Sequence, residues 1–311
     1  MEVLVLGGGP DSERQVSLWS SLGVADALRG LGRPVRYEVI GKLTQKELAA
    51  LPGDVIFPVL HGGWGEGGGL QDLLEADGRP YVGSKAHAAR LAMDKLATKM
   101  AAARAGVPTA ECAVWNPSDE GCPIAFPVVV KPVHEGSSVG VHFVREAGEW
   151  AAVREKVLSE QREHPSRVYM IERAVLGGRE LTVSVLDGRV LAPIEIIPKV
   201  AFYDYEAKYT SDETQYRVDP ELPAGVKELV RGAAAKMWEA LGLRHLARVD
   251  FLLDRQGTAW LLEVNTMPGF TSHSLMPMAA AHAGLSYADL CAALVDMAVR
   301  DHVPGRVRSM V

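Results

Sequence analysis

The sequence predicts an α/β fold that becomes α+β in its second half. Two observations predict it. Residues 1–90 alternate short apolar strands with amphipathic helices, the βαβ rhythm of a parallel sheet. Further on, two pairs of strand-like runs are each closed by a tight turn, which marks antiparallel hairpins.

The elements follow in order. Val3–Leu6 is a short buried strand running into Gly7-Gly8-Gly9-Pro10, and a helix follows to about Gly30. Ser12 with Gln15 three residues on has the capping-box pattern, and Val16, Trp19, Leu22 and Leu28 form the expected apolar face. Val35–Ile40 and Val55–Leu60 are the next strands, and the second opens into a glycine-dense loop, His61 to Gly69. Such a sheet binds ligands near its strand C-termini. Residues 91–105 form a helix stopped by Gly106 and Pro108, with a domain boundary just before it. Val128–Lys131, Val141–Val144 and Val168–Ala174 are strands, with a helix over about 147–163. Leu181–Leu186 and Val190–Ile197 make the first hairpin, around Asp187-Gly188. Residues 198–219 are polar and irregular; a loop of that length in a compact protein is usually functional or disordered, and its four tyrosines argue against plain disorder. A helix spans about 223–241, the second hairpin follows, and helices near 274–283 and 286–301 close the chain.

Composition narrows the function classes. With 311 residues, 48% apolar and 23% charged, the chain has ample core for two or three units. The net charge is −6 and no Lys/Arg-rich run occurs, so no nucleic-acid partner is expected. No apolar run approaches the ~20 residues of a membrane span, and the N-terminus lacks a signal-peptide pattern, so a cytoplasmic protein without a membrane partner is expected. Cys112, Cys122 and Cys291 have no metal-like spacing and read as reduced thiols.

The second hairpin carries the chemistry. Pairing its strands around Asp254–Thr258 sets Asp250 opposite Glu263 and Arg248 beside Asn265. The same register sets Val249 against Val264, Phe251 against Leu262 and Leu253 against Trp260, so one face is wholly apolar. Directly opposed carboxylates repel. Both could simply point into water, but Arg248 and Asn265 crowd the same patch. A divalent cation resolves the repulsion, and these hard oxygen donors suit Mg²⁺ or Mn²⁺ rather than zinc. Magnesium held by one or two carboxylates commonly also binds substrate phosphates, which suggests a nucleoside triphosphate.

No Walker A motif, kinase signature or dinucleotide fingerprint supplies the phosphate cradle. The small-residue loop Gly136-Ser137-Ser138-Val139-Gly140 is the candidate, with Lys131 on the strand before it. Alone, such a loop is an ordinary turn. Beside Lys131 and upstream of the carboxylate hairpin, nucleotide binding outweighs that reading.

A glycine-rich loop, strand lysines and a C-terminal Asp/Glu/Asn hairpin together resemble the ATP-grasp superfamily. Five motifs narrow the resemblance to the D-alanine–D-alanine ligases: DSERQVS at 11–17, LHGGWGEGGGLQ at 60–71, VKPVHEGSSVG at 130–140, FYDYEAKYTSDETQY at 202–216 and LEVNTMPGFTSHSL at 262–275. They cover essentially the whole chain in the family's order. The resemblance implies an ATP-grasp fold with an N-terminal parallel α/β domain. It implies a substrate-binding domain over 1–90, a central subdomain with the phosphate loop over 91–176, and a C-terminal subdomain over 177–311 with the magnesium hairpin and an omega loop.

The resemblance also implies roles. Asp250, Glu263 and Asn265 match magnesium ligands, for two ions. Lys95, Lys131 and Lys208 match lysines on ATP phosphates, and Ser138 belongs to the phosphate loop. Glu172, Arg173, Ala174 and Val175 fall at the strand bordering adenine, and Glu180 matches the ribose-binding carboxylate. Glu13 matches the anchor of the first D-alanine's ammonium, with Ser137 and Tyr209 as its hydrogen-bonding partners and His61 beside the pocket. Arg248 and the N–H of Gly269 match oxyanion stabilisers; Ser274 and Leu275 match residues near the second D-alanine's carboxylate. A phenylalanine at the Tyr209 position accompanies depsipeptide formation in the family, so the resemblance favours D-alanine, with D-lactate or D-serine as the alternative second substrate. Homodimers are common in the family. Two rivals from other classes are a phosphotransferase that stops at a phosphorylated product and a nucleotide-binding regulatory module without turnover.

Overall fold

The computed structural model describes residues 1–136, 139–197 and 214–302. Among these residues three sheets form, each drawn from one stretch of chain. The first has the order β2-β1-β3, with β1 (Val3–Gly8), β2 (Val35–Ile40) and β3 (Val55–Pro58) all parallel. The second is antiparallel, β4-β7-β5-β6, from β4 (Cys112–Val114), β5 (Val128–Pro132), β6 (His142–Val144) and β7 (Tyr169–Arg173). The third is antiparallel, β10-β9-β8-β11-β12, from β8 (Arg179–Leu186), β9 (Arg189–Ile197), β10 (Gln215–Val218), β11 (Leu246–Leu253) and β12 (Ala259–Asn265). The fold class expected from sequence is the one observed. In the β8–β9 turn Asp187 and Gly188 both have positive φ, 50° and 77°, as a two-residue hairpin of this kind requires.

The first helix, α1 (Arg14–Gly30), departs from expectation at its start and on its face. Its cap is Glu13, with no side-chain cap bond, so the Ser12–Gln15 box does not form. Val16 and Leu28 are buried, but Trp19 and Leu22 are 52% and 47% exposed. Ser17, Ser20 and Ser21 face inward instead. The physical reason is close approach. A Cβ on Gly7 would overlap Ser21, so only a small side chain fits between helix and β1. The inward hydroxyls serve the backbone: Gly8 N donates to Ser17 Oγ at 2.9 Å, Ser17 Oγ donates to the Val59 carbonyl, and Phe270 N donates to Ser20 Oγ at 3.1 Å. An apolar-pattern reading cannot see such a face.

The helix expected over 91–105 is two helices, Ala86–Met93 and Lys95–Arg104. Asp94 breaks them with extended backbone and caps the second, its Oδ1 accepting from Leu96 N at 2.9 Å and Ala97 N at 3.0 Å. Lys95 is thereby the first residue of its helix. The glycine loop also holds a helical turn, Gly62–Gly65, and then a helix, Gly69–Asp77.

The second hairpin keeps the predicted register where the carboxylates lie and changes it beyond. Arg248 faces Asn265, Val249 faces Val264 and Asp250 faces Glu263. The register then shifts, so that Phe251 faces Leu261 and Leu253 faces Ala259 rather than Leu262 and Trp260. Leu262 is the extra residue. A bulge of this kind re-aims side chains, and here Leu262 joins Glu263 at the cleft while Phe251, Leu261 and Val264 stay buried.

The closing helix Tyr287–Arg300 packs back on α1 and β3, and Leu275–His282 packs on β8 and β9, in one core with Val3, Val24, Phe57 and Phe270. No single helix among the described residues is long and apolar enough to cross a membrane. At the far end of β11, His245 is fully buried and its Nδ1 accepts from Gly83 N at 3.0 Å. Burial, and then the Arg244 guanidinium, lower its pKa to about 4. A folded pKa below the unfolded value means stability present above about pH 6.5 and lost as pH falls through about 4. We expect His245→Asn, which tolerates the positive φ of 65°, to show a flatter loss of stability between those pH values in urea titrations.

Candidate active site

The three sheets enclose a cleft made of two adjoining cavities of about 510 and 660 Å³. Lys95, Glu135, Gly136, Glu180, Leu262 and Glu263 line both, so they stand at the junction. The first cavity also holds Glu13 and His61 from the first sheet's loops, and Arg248, Asp250 and Asn265 from the hairpin. Gly269, Ser274 and Leu275 close it. The second cavity holds Lys131 and the run Glu172, Arg173, Ala174 and Val175. Ser137, Ser138, Lys208 and Tyr209 lie outside the described residues.

Asp250 is the most constrained group. It accepts from Thr182 Oγ1 at 2.5 Å, from Arg248 Nε at 2.9 Å and Nη2 at 2.8 Å, and from Asn265 Nδ2 at 3.1 Å. Arg248 is thus held bidentate against the hairpin, aimed by the carboxylate two residues on. Glu263 lies in front of Asp250, with Lys95 Nζ at 3.9 Å from its Oε2. The Lys95 ammonium donates to the Glu135 carbonyl at 2.5 Å.

The first cavity's far wall is a loop, 266–274, fixed to its surroundings at several points. His61 Nδ1 donates to the Met267 carbonyl at 2.9 Å, which leaves Nε2 as the ring's lone-pair acceptor. Burial lowers the His61 pKa, outweighing the opposite pull of Glu13, so the ring stays neutral. Met267 N donates to Glu66 Oε2 and Gly62 N to Glu66 Oε1, each at 3.2 Å. Burial, reinforced by the Glu13 charge, pushes the Glu66 pKa up to about 8. Tyr287 Oη donates to the Phe270 carbonyl at 2.7 Å. Thr271 N donates to Ser274 Oγ at 3.0 Å.

At the floor of the second cavity Glu172 sits between two ammonium groups, Lys99 on one oxygen and Lys131 on the other, all three buried. Burial alone would raise the Glu172 pKa; the two lysines outweigh it and hold the carboxyl below its ordinary value.

Asp250, Glu263 and Asn265 fit a magnesium site. They offer two carboxylates and an amide oxygen, fewer than an all-protein cage needs. Such a partial set suits an ion that completes its shell with water and phosphate.

A family model described as the D-ala D-ala ligase C-terminus matches residues 112–296. The D-alanine–D-alanine ligase of Stutzerimonas stutzeri (strain A1501) is 42% identical over 94% of this chain and 93% of its own length. That of Bordetella pertussis is 41% identical over 98% of each. The chain belongs to the D-alanine–D-alanine ligase family. A solved structure of the Bacillus anthracis family member complexed with ATP superposes with a TM-score of 0.81 at 30% identity, covering 96% of this chain and 98% of that one. The VanG D-Ala:D-Ser ligase of Enterococcus faecalis gives 0.80 at 25% identity, over 96% and 99%.

Every described residue that the family resemblance singled out lines the cleft. Several residues that shape it were missed. Lys99 is four residues after Lys95 on the same helix face, a spacing that could have signalled it. Glu66 lies inside a quoted motif. Thr182, Ser20 and Tyr287 had no local signal, because their partners are 68, 250 and 17 residues away.

Proposed function

We propose that the protein joins two D-alanine molecules into D-alanyl-D-alanine, with ATP as co-substrate, for peptidoglycan precursor synthesis. The juxtaposition that carries the reading is Glu263 at the junction of two cavities, opposite Asp250 in the first and with Lys95 beside it. Nucleotide fits the second cavity, with adenine near Glu172–Val175, ribose near Glu180 and phosphates toward Lys131 and Lys95. D-Alanine fits the first.

Glu13 anchors the first D-alanine's ammonium. The first D-alanine's carboxylate oxygen attacks the γ-phosphorus; the new O–P bond forms as the bridge to the β-phosphate breaks, and ADP leaves. A magnesium ion held by Asp250, Glu263 and Asn265, or two ions, would neutralise the transferring charge. Lys95 and Lys131 bear on the same phosphates. The second D-alanine, its carboxylate near Ser274 and Leu275, loses a proton and attacks the acyl carbon through its amine. Arg248, pre-aimed by Asp250, and the Gly269 N–H stabilise the oxyanion. Phosphate then leaves and the peptide bond remains. The neutral His61, with its Nε2 lone pair, adds no positive charge to compete with the substrate ammonium.

D-Alanine is the second substrate in this reading, from the Tyr209 position; D-serine and D-lactate are the alternatives. A cytoplasmic homodimer is the expected state. The test is phosphate release from ATP and Mg²⁺ with and without D-alanine, beside mass detection of product. One dipeptide per phosphate is the expected outcome. Release without dipeptide would favour a phosphotransferase. Predominant D-alanyl-D-lactate in neutral competition with D-alanine would overturn the second-substrate assignment.

A further inference from the structure

One polar network reaches both stems of the glycine-rich stretch that begins at Gly136. On the incoming stem, Arg167 Nε donates to Glu135 Oε1 at 2.5 Å, and the Glu135 carbonyl accepts from Lys95 Nζ at 2.5 Å. On the outgoing stem, His142 Nε2 lies 3.0 Å from Glu160 Oε1. The halves meet at Tyr169, which is wholly buried. Its hydroxyl donates to Glu160 Oε2 at 2.5 Å and accepts from Arg167 Nη1 at 3.5 Å. A Cβ on Gly140 would come within 3.0 Å of Pro132 and 3.3 Å of that hydroxyl, and Gly140 has a φ of +67°, so the outgoing turn passes close to the same group.

Arg167, Tyr169, Glu160 and His142 do not line either cavity, whereas Glu135 and Lys95 line both. The network therefore acts on the cleft through Glu135. A lysine ammonium on a four-carbon stem has many rotamers, and a fixed carbonyl acceptor selects one of them. That carbonyl is only as fixed as its own residue, which the Arg167 contact ties to the segment leading into β7. The Arg167 and Glu135 side chains are 16% and 32% exposed, so water screens their pair less than an open surface pair.

We propose that Arg167 is a positioning residue for the ligation: through Glu135 it places Lys95 at the cavity junction and holds the loop stems, and so sets ATP affinity without touching ATP. The proposal rests on the reading of Lys95 as a phosphate contact. A charge-assisted hydrogen bond corresponds to roughly tenfold or more in affinity. Arg167→Met should therefore raise the KM for ATP about tenfold while leaving the KM values for D-alanine within about twofold. Arg167→Lys, which keeps the charge but loses the guanidinium fork, should fall between. The double variant with Glu135→Met should be no worse than the poorer single, because both remove one contact. Lys95→Met is the control. If Lys95→Met raises the KM for ATP and Arg167→Met does not, the proposal is overturned while the phosphate reading stands. If Lys95→Met leaves it unchanged, the phosphate reading itself fails, and the proposal with it. An Arg167→Met enzyme with a lowered melting temperature and all KM values raised alike would mark a structural role only and also overturn it. Should Arg167→Met not fold, Glu135→Met alone carries the same KM comparison.

Discussion

Glu263→Gln should nearly abolish D-alanine-dependent ADP formation and leave the fold intact. Glu263 lies directly opposite Asp250 on the hairpin and at the junction of the two cavities. The amide keeps the shape of the side chain but removes the charge on which a hard cation depends. Changes one shell further out at metal sites cost about 10–100-fold, so a direct ligand should cost more than about 100-fold. Stability should not fall with activity. The substitution relieves repulsion between opposed carboxylates, and the Glu263 side chain is only partly buried, 21% exposed. The check pairs initial rates with a thermal melt of the same sample. Full activity in a folded Gln variant would remove Glu263 from the metal site.

Glu172→Leu should give the largest stability loss. The wild-type carboxylate neutralises one of two buried ammonium groups and hydrogen-bonds both. Its removal leaves Lys99 and Lys131 facing each other across an apolar gap. Breaking a buried pair by deleting one partner costs about 3–5 kcal/mol, because an uncompensated charge stays behind. Lys99 keeps bonds to Thr109 Oγ1 at 2.6 Å and the Ala110 carbonyl at 2.9 Å, which limits its escape to water. Urea unfolding should therefore show a clearly lower midpoint. Adding Lys99→Met should recover part of the loss, since it removes one stranded charge. A midpoint unchanged in Glu172→Leu, or worsened by the second change, would show that the triad is not the stabilising unit described above.

Most strands and helices were legible because each has its own local signal. The Asp187-Gly188 turn, the helix at Ala147–Glu163 and the alternation around Asp250 and Glu263 are of this kind. Where the reading failed, the cause was a contact that local pattern does not encode. Helix α1 looked amphipathic through Trp19 and Leu22, yet it buries serines because Gly7 allows the backbone to approach. Asp94 sits within a continuous helical pattern, yet its side chain gives more as a cap than it would inside the helix.

The sequence by itself determined the chemistry available to this protein. Residue types and near-neighbour spacing place hard oxygen donors together on one hairpin face, because strand geometry alternates side chains with period two. The tertiary structure alone decided how those groups are held. It set the bulge that turns Leu262 to the cleft, the bidentate hold of Arg248 on Asp250, and the lysines on either side of Glu172. It also set the Glu66 bonds that tie the glycine loop to Met267, 201 residues away. These depend on which surfaces meet when three sheets pack, and burial then fixes partners and protonation states that no local pattern contains.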